Sequence, residues 1–120
     1  MDRPYFIRIL DKKKIRKEFV IGEEISDHFV ARDEDDRGWV ITHLPTGQTL
    51  VRCGFAQFSD AREFALGVEK VYGKVLDSKS DISARTPDQR KMSLFLRRLS
   101  EEYADQVITM DDVRSSAKTL

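Results

Sequence analysis

Apolar and polar positions alternate at the start of the chain. Tyr5, Ile7 and Ile9 sit two apart, as do Phe19 and Ile21, on either side of the polar run "DKKK". A period of two puts successive side chains on opposite faces of an extended strand, so residues 5–10 and 15–21 predict a β-hairpin. A rival pattern runs through the same residues: Ile15 and Phe19 are four apart, which also fits a short helix over 8–19.

From residue 28 the pattern predicts strands again. "HFVAR" (28–32) is a short strand, "DEDDRG" (33–38) a charged loop and "WVITHL" (39–44) a second strand. "PTGQ" (45–48) makes a turn in which Gly47 supplies a positive φ, and "TLVRCGF" (49–55) returns as a third strand. The result is a three-stranded antiparallel meander. Trp39 and Ile41 share one face while Val40, Thr42 and Leu44 share the other. Both faces are apolar, which predicts that both are covered. The helix described next would cover one; the N-terminal hairpin, the 87–104 helix or a partner would cover the other.

The period then lengthens to that of a helix. Ala61, Phe64, Ala65, Val68, Val71 and Tyr72 form one stripe, with Ser59 as the expected N-cap, Asp60 at the positive end and Gly73 as the stop. Residues 74–85 are polar and read as a linker. A second helix begins at "TPDQ", where Thr86 caps, Pro87 takes the first position and Gln89 completes a capping box. Met92, Phe95, Leu96, Leu99 and Tyr103 give it an apolar face, and the tail from Thr109 fits either a last short helix through Met110 and Val113 or a frayed end. The fold class is therefore α+β: a β-β-β-α unit with an N-terminal hairpin and a long C-terminal helix. It is organised as a core over 1–73, a linker over 74–85, and a helix and tail over 86–120 that pack on the core or on a partner.

At 120 residues, 40% apolar and 35% charged, the chain fits one globular domain. No apolar run approaches the roughly 20 residues that span a bilayer, and "MDRPYFIRIL" lacks the apolar centre of a leader, so the expectation is a cytoplasmic protein without membrane contact. The single Cys53 allows no internal disulfide framework. Net charge is zero, but the charges are segregated. Residues 8–17 hold six basic side chains (Arg8, Lys12, Lys13, Lys14, Arg16, Lys17) against one acid, and residues 18–36 hold eight acids against one base. Arg85, Arg90, Lys91, Arg97 and Arg98 are likewise followed by an acidic run. Such blocks either pair with each other in the fold or form separate faces that steer a charged partner.

Candidate chemistry is sparse. His28, His43 and Cys53 are three isolated ligands where structural zinc wants four, and they are expected to be two rim histidines and one buried thiol. Cys53 lies mid-strand between Val51 and Phe55, away from any helix N-terminus that would favour a thiolate. "DEDDRG" opens like a calcium loop but places Arg37 and Leu44 where that loop needs oxygen ligands. "HLPTGQT" lacks the glycines, lysine and helix of a phosphate cradle. No metal, cofactor or catalytic group is expected, and the chain reads as a non-enzyme.

Two binding functions fit. The first is a protein-binding module, a regulator or inhibitor of the kind a phage or mobile element encodes, acting by occlusion of its partner. Its contacts would come from Arg90, Lys91, Arg97 and Arg98 on the long helix and from Lys12, Lys13 and Lys14, with a homodimer through the 87–104 helix as one form. The second is a nucleic-acid binder: the β-β-β-α order of 28–73 resembles, in architecture, the domains of plant AP2 factors and the arm-binding domains of phage integrases. That resemblance implies base or backbone contacts from Arg32, Arg37, His43, Gln48 and Arg52, with Lys12 to Lys17 on phosphates. The absence of a basic excess in 28–73 counts against it.

Overall fold

The fold was obtained as a computed structural model, which describes residues 2–78 and 84–118. It is α+β, with seven strands in one sheet and three helices among the described residues. Strands β1 (Asp2–Asp11) and β2 (Lys14–Glu24) form the hairpin, followed by β3 (Phe29–Asp33), β4 (Trp39–His43), β5 (Gln48–Thr49) and β6 (Gly54–Phe55). Helices α1 (Phe58–Tyr72) and α2 (Pro87–Glu102) come next, then β7 (Val107–Ile108) and α3 (Met110–Ala117). The strand order is β1-β2-β3-β4-β6-β7, with β5 also paired to β4. No helix among the described residues is long and apolar enough to cross a membrane.

Alternation, not helical spacing, governs the N-terminus. β1 and β2 pair antiparallel over their whole length, from Asp2 opposite Glu23 to Asp11 opposite Lys14. β2 then pairs with β3 only through Glu23–Ala31 and Glu24–Val30, so most of the hairpin is free to leave the sheet plane. It folds over the sheet: Tyr5 and Val20 cluster with Val30, flanked by Ile7 and Leu44, and the Arg8 N–H donates to the Gly47 carbonyl at 2.9 Å. The other face of β3 and β4 supplies Phe29, Ala31 and Ile41 to the main core, which α1 and α2 complete with Phe64, Val68 and Leu99. Both faces of the central strands are thus covered from within the chain.

Three expected elements differ in detail. The third strand is interrupted: only residues 48–49 and 54–55 pair with β4 as ladder. Between them the Arg52 N–H donates to Ser100 Oγ and its carbonyl accepts from Asp105 N, so α2 and the connection after it take this backbone away from β4. Gln57, not Ser59, holds the N-cap position of α1, without a side-chain capping bond; Phe58 enters the helix while its ring meets Trp39 edge-on at 5.2 Å, which draws the start earlier. The stretch after α1 is structured at its beginning: a 3-10 turn over Gly73–Asp77 buries Leu76 completely. Residues 79–83 of the expected linker lie outside the described residues.

The α2 start follows the sequence. Thr86 Oγ1 accepts from Gln89 N at 3.1 Å and Gln89 Oε1 accepts from Thr86 N at 3.2 Å. Gln89 is also buried, and its Nε2 donates to the Val71 and Tyr72 carbonyls while the Tyr72 hydroxyl donates to the Gln89 carbonyl. One residue therefore caps α2 and ties it to the end of α1. Phe95 and Leu99 face the core, so the helix stripe is taken up by its own chain. Strand β7 runs parallel to β6, with Gly54 N donating to Gln106 O and Ala56 N to Ile108 O, and α3 adds Val113 to the core.

Candidate functional site

The hairpin has two chemically distinct faces. Its inner face, through Tyr5, Ile7 and Val20, packs on the sheet. Its outer face carries Phe6 and Phe19, directly opposite each other in the ladder and in edge-to-face contact at 5.2 Å. Beside them stand Ile21 toward the base and Ile15 toward the tip. These four side chains are 55% (Phe6), 59% (Phe19), 62% (Ile21) and 62% (Ile15) exposed. Scattered exposed apolar residues are ordinary, but Phe6, Phe19 and Ile21 adjoin on one ribbon face and Ile15 follows on the same face beyond one intervening pair, which marks an interaction surface.

Between the Phe6–Phe19 pair and Ile15 lies a second cross-strand pair, Arg8 opposite Lys17. Both are exposed, and among the described residues neither side chain makes an ion pair or hydrogen bond. Like charges directly opposite in a ladder repel. Arg16 is different: it pairs with Asp11 at 3.6 Å and Glu18 at 3.5 Å. The hairpin closes through Lys12 and Lys13, whose φ values of 48° and 67° are both left-handed, as a two-residue turn of type I′ requires. Lysine is a poor choice for such a turn, where Asn and Gly are usual. Lys12, Lys13 and Lys14 thus stand together and exposed at the tip, also without an ionic partner among the described residues.

Of the remaining sequence candidates, Arg32 and Arg37 share with Arg8 the groove beneath the hairpin, and Arg37 and Arg52 share a neighbouring one. Arg90, Lys91, Arg97 and Arg98 are exposed on α2, which docks on its own core; Arg90 donates to the Arg85 carbonyl. Arg32 is half-buried and paired with Glu34 at 2.7 Å, and with Tyr5 and Ile7 it lines the groove beneath the hairpin. Arg37 pairs with Asp105 at 2.7 Å, while Gln48 and Arg52 are exposed. His43 is not the rim residue the sequence suggests: it is buried on the helix side of the sheet. Its Nε2–H donates to the Leu76 carbonyl at 2.7 Å, which leaves Nδ1 to accept from the Thr46 hydroxyl at 2.8 Å. Burial pushes its pKa below the ordinary histidine value, which fits this neutral tautomer; the Leu76 bond opposes that shift and the nearby His28 adds to it.

His28 is the one histidine built to be charged. Its Nδ1 meets Glu69 Oε1 at 2.6 Å and its Nε2 meets Asp77 Oδ1 at 2.5 Å. Burial alone would lower its pKa, but bonds to two carboxylates outweigh that and raise it. The group clasps the start of β3 to the end of α1 and the turn after it. Cys53 is buried, and burial pushes its thiol up to about 11, so it rests protonated. No cluster of three or more metal-ligating side chains occurs among the described residues. A shallow apolar depression lies between α1, α2 and α3, floored by Gly67 and walled by Phe64, Met92 and Met110.

Sequence pattern alone signalled the hairpin and its basic tip. The outer apolar face is only partly visible there: Phe19 and Ile21 alternate, but nothing local places Phe6 beside Phe19, and Ile15 pairs with Phe19 only at helical spacing. The register, with residue numbers summing to 25 across the ladder, is what sets Phe6 beside Phe19 and Arg8 beside Lys17. No protein-family model matches the chain, and no curated protein or solved structure matches it.

Proposed function

We propose that this chain is a non-enzymatic protein-binding module, a regulator or inhibitor that occludes a surface of its partner with the outer face of the N-terminal hairpin. The supporting observation is the exposure of Phe6, Ile15, Phe19 and Ile21 on one face of a ribbon whose other face is packed. Covering that face removes apolar area from water, the dominant favourable term in protein association. Aliphatic and β-branched side chains make up half of these four, and they suit an apolar protein surface better than nucleic-acid bases. The histidines are satisfied within the fold and Cys53 is inert, which favours binding over catalysis.

A nucleic-acid reading keeps one specific observation: a two-stranded ribbon with a cationic tip fits a major groove. It would rest on the hairpin and not on the central strands, because Arg32 and His43 are engaged inside the fold. Affinity capture from nuclease-treated lysate separates the two, using the wild-type chain, a Phe6→Ser/Phe19→Ser variant and an Arg97→Glu/Arg98→Glu variant. A stoichiometric protein retained by the wild type and the α2 variant but lost by the hairpin variant is the expected result. Loss through the α2 variant alone, or loss of every partner on nuclease treatment, would overturn the assignment.

A further inference from the structure

We propose that the hairpin face selects a partner segment in which a carboxylate interrupts an apolar stripe. The inference rests on the binding face proposed above and adds the chemistry of what it binds. Along the outer face the order from base to tip is apolar pair, cationic pair, apolar side chain, cationic turn: Phe6–Phe19, Arg8–Lys17, Ile15, Lys12–Lys13. Successive same-face positions on a strand are about 6.8 Å apart. The complementary segment therefore carries an apolar contact, a carboxylate about 6.8 Å further on, and a second apolar contact beyond it. A strand with every second residue facing the hairpin meets this spacing, and a helix read every fourth residue, at a rise of about 6 Å, comes close.

Charge complementarity argues for the carboxylate. Arg8 and Lys17 face each other across the ladder, and the structure supplies neither with an anion among the described residues. An acidic group seated between them would turn a repulsive pair into an attractive triplet, beside apolar contacts that exclude water and strengthen it. The tip adds to the same sign of field: Lys12 and Lys13 hold charge at two left-handed positions that cost backbone energy. Arg16, already paired with Asp11 and Glu18, takes no part.

Three short peptides of equal length test this, with apolar side chains at alternate positions and Glu, Gln or Lys at the central facing position. They are titrated into the full chain labelled with 15N, and amide shifts give the site and the affinity. The Glu peptide is expected to move the amides of Phe6, Arg8, Lys17 and Phe19 and to bind about tenfold tighter than the Gln peptide, with a preference that shrinks in high salt. The Lys17→Glu variant leaves Arg8 beside a carboxylate of its own and should lose that preference. Lys17→Gln, a milder change at an exposed site, leaves Arg8 alone and should keep a reduced preference for the Glu peptide.

Equal binding of the Glu and Gln peptides would overturn the acidic preference while leaving the apolar docking face in place. If no peptide moves the hairpin amides, the carboxylate proposal fails. The binding face fails with it only if Phe6→Ser/Phe19→Ser also leaves capture of a protein partner unchanged. A duplex DNA that shifts the same amides at lower concentration than the Glu peptide would replace the acidic protein segment with phosphates.

Discussion

The tip of the hairpin offers a perturbation that separates stability from binding. Lys12 and Lys13 occupy both central positions of a turn that needs left-handed φ at each. A left-handed side-chain-bearing residue costs roughly 1 kcal/mol, so the two together cost roughly 2 kcal/mol. Lys12→Asn with Lys13→Gly removes most of this, and glycine's greater freedom in the unfolded chain gives back about 0.5–1 kcal/mol. The net expectation is a gain of about 1 kcal/mol in the local stability of the hairpin. Amide hydrogen exchange is the right assay, because a projecting ribbon opens without global unfolding. Strand amides near the turn, such as those of Ile9 and Arg16, should exchange about fivefold more slowly in the double variant. The same variant has two fewer cations at the tip and should bind the Glu-centred peptide more weakly. If exchange near the turn is unchanged or faster, the lysines sit there without cost, and charge is not being held against the preference of the turn.

Other substitutions probe the rest of the molecule. Gly67 lies within α1 with nothing inside 4 Å of where a Cβ would stand, so Gly67→Ala should stabilise by about 0.5–1 kcal/mol in urea titration; a loss would mean the depression it floors is narrower than described. A Cβ on Gly54 would meet the Arg37 carbonyl oxygen at 1.6 Å, and backbone cannot swing aside, so Gly54→Ala should cost at least about 2 kcal/mol by the same measurement. His28 has a folded-state pKa raised above its unfolded value of about 6.5. Its stabilising contribution is therefore complete below about pH 6.5 and is lost as pH rises through the raised value. His28→Gln should thus destabilise the chain more at about pH 5.5 than at about pH 8.5. An equal or larger effect at the higher pH would contradict the two-carboxylate clasp.

Sequence reading reached those features whose cause is local. Alternation through Tyr5, Ile7 and Ile9 specified a strand, and Thr86-Pro87-Asp88-Gln89 specified a helix start down to the two hydrogen bonds of its capping box. It failed where distant chain decides. Val51 and Cys53 look like strand residues and are buried like them, yet the backbone of Arg52 between them is held by Ser100 and Asp105, about 50 residues later, which no local pattern encodes. Val107 and Ile108 are too short a run to announce a strand without the β6 edge they complete. Leu76 sits among polar residues and reads as linker, but the His43 ring beneath it takes its carbonyl as acceptor and fixes it inside. The candidate face was half legible: its charges stood out, while its apolar half emerged only when the register set Phe6 against Phe19.

The parallel pairing of β6 with β7 also governs the order in which this molecule can be made. The hairpin ladder pairs residues 2–11 with 14–23, so its own pairing partners are all made early in synthesis. Gly54 and Phe55, by contrast, wait for Val107 and Ile108, and the core waits for Val113 beyond them. Closing so long a loop before its contacts are rewarded is a slow step. A nascent chain emerging at about 5–20 residues per second therefore exposes the cationic hairpin sequence for several seconds before the body that steadies it can close. Its outer apolar positions stay open to solvent through that interval, ahead of the finished fold.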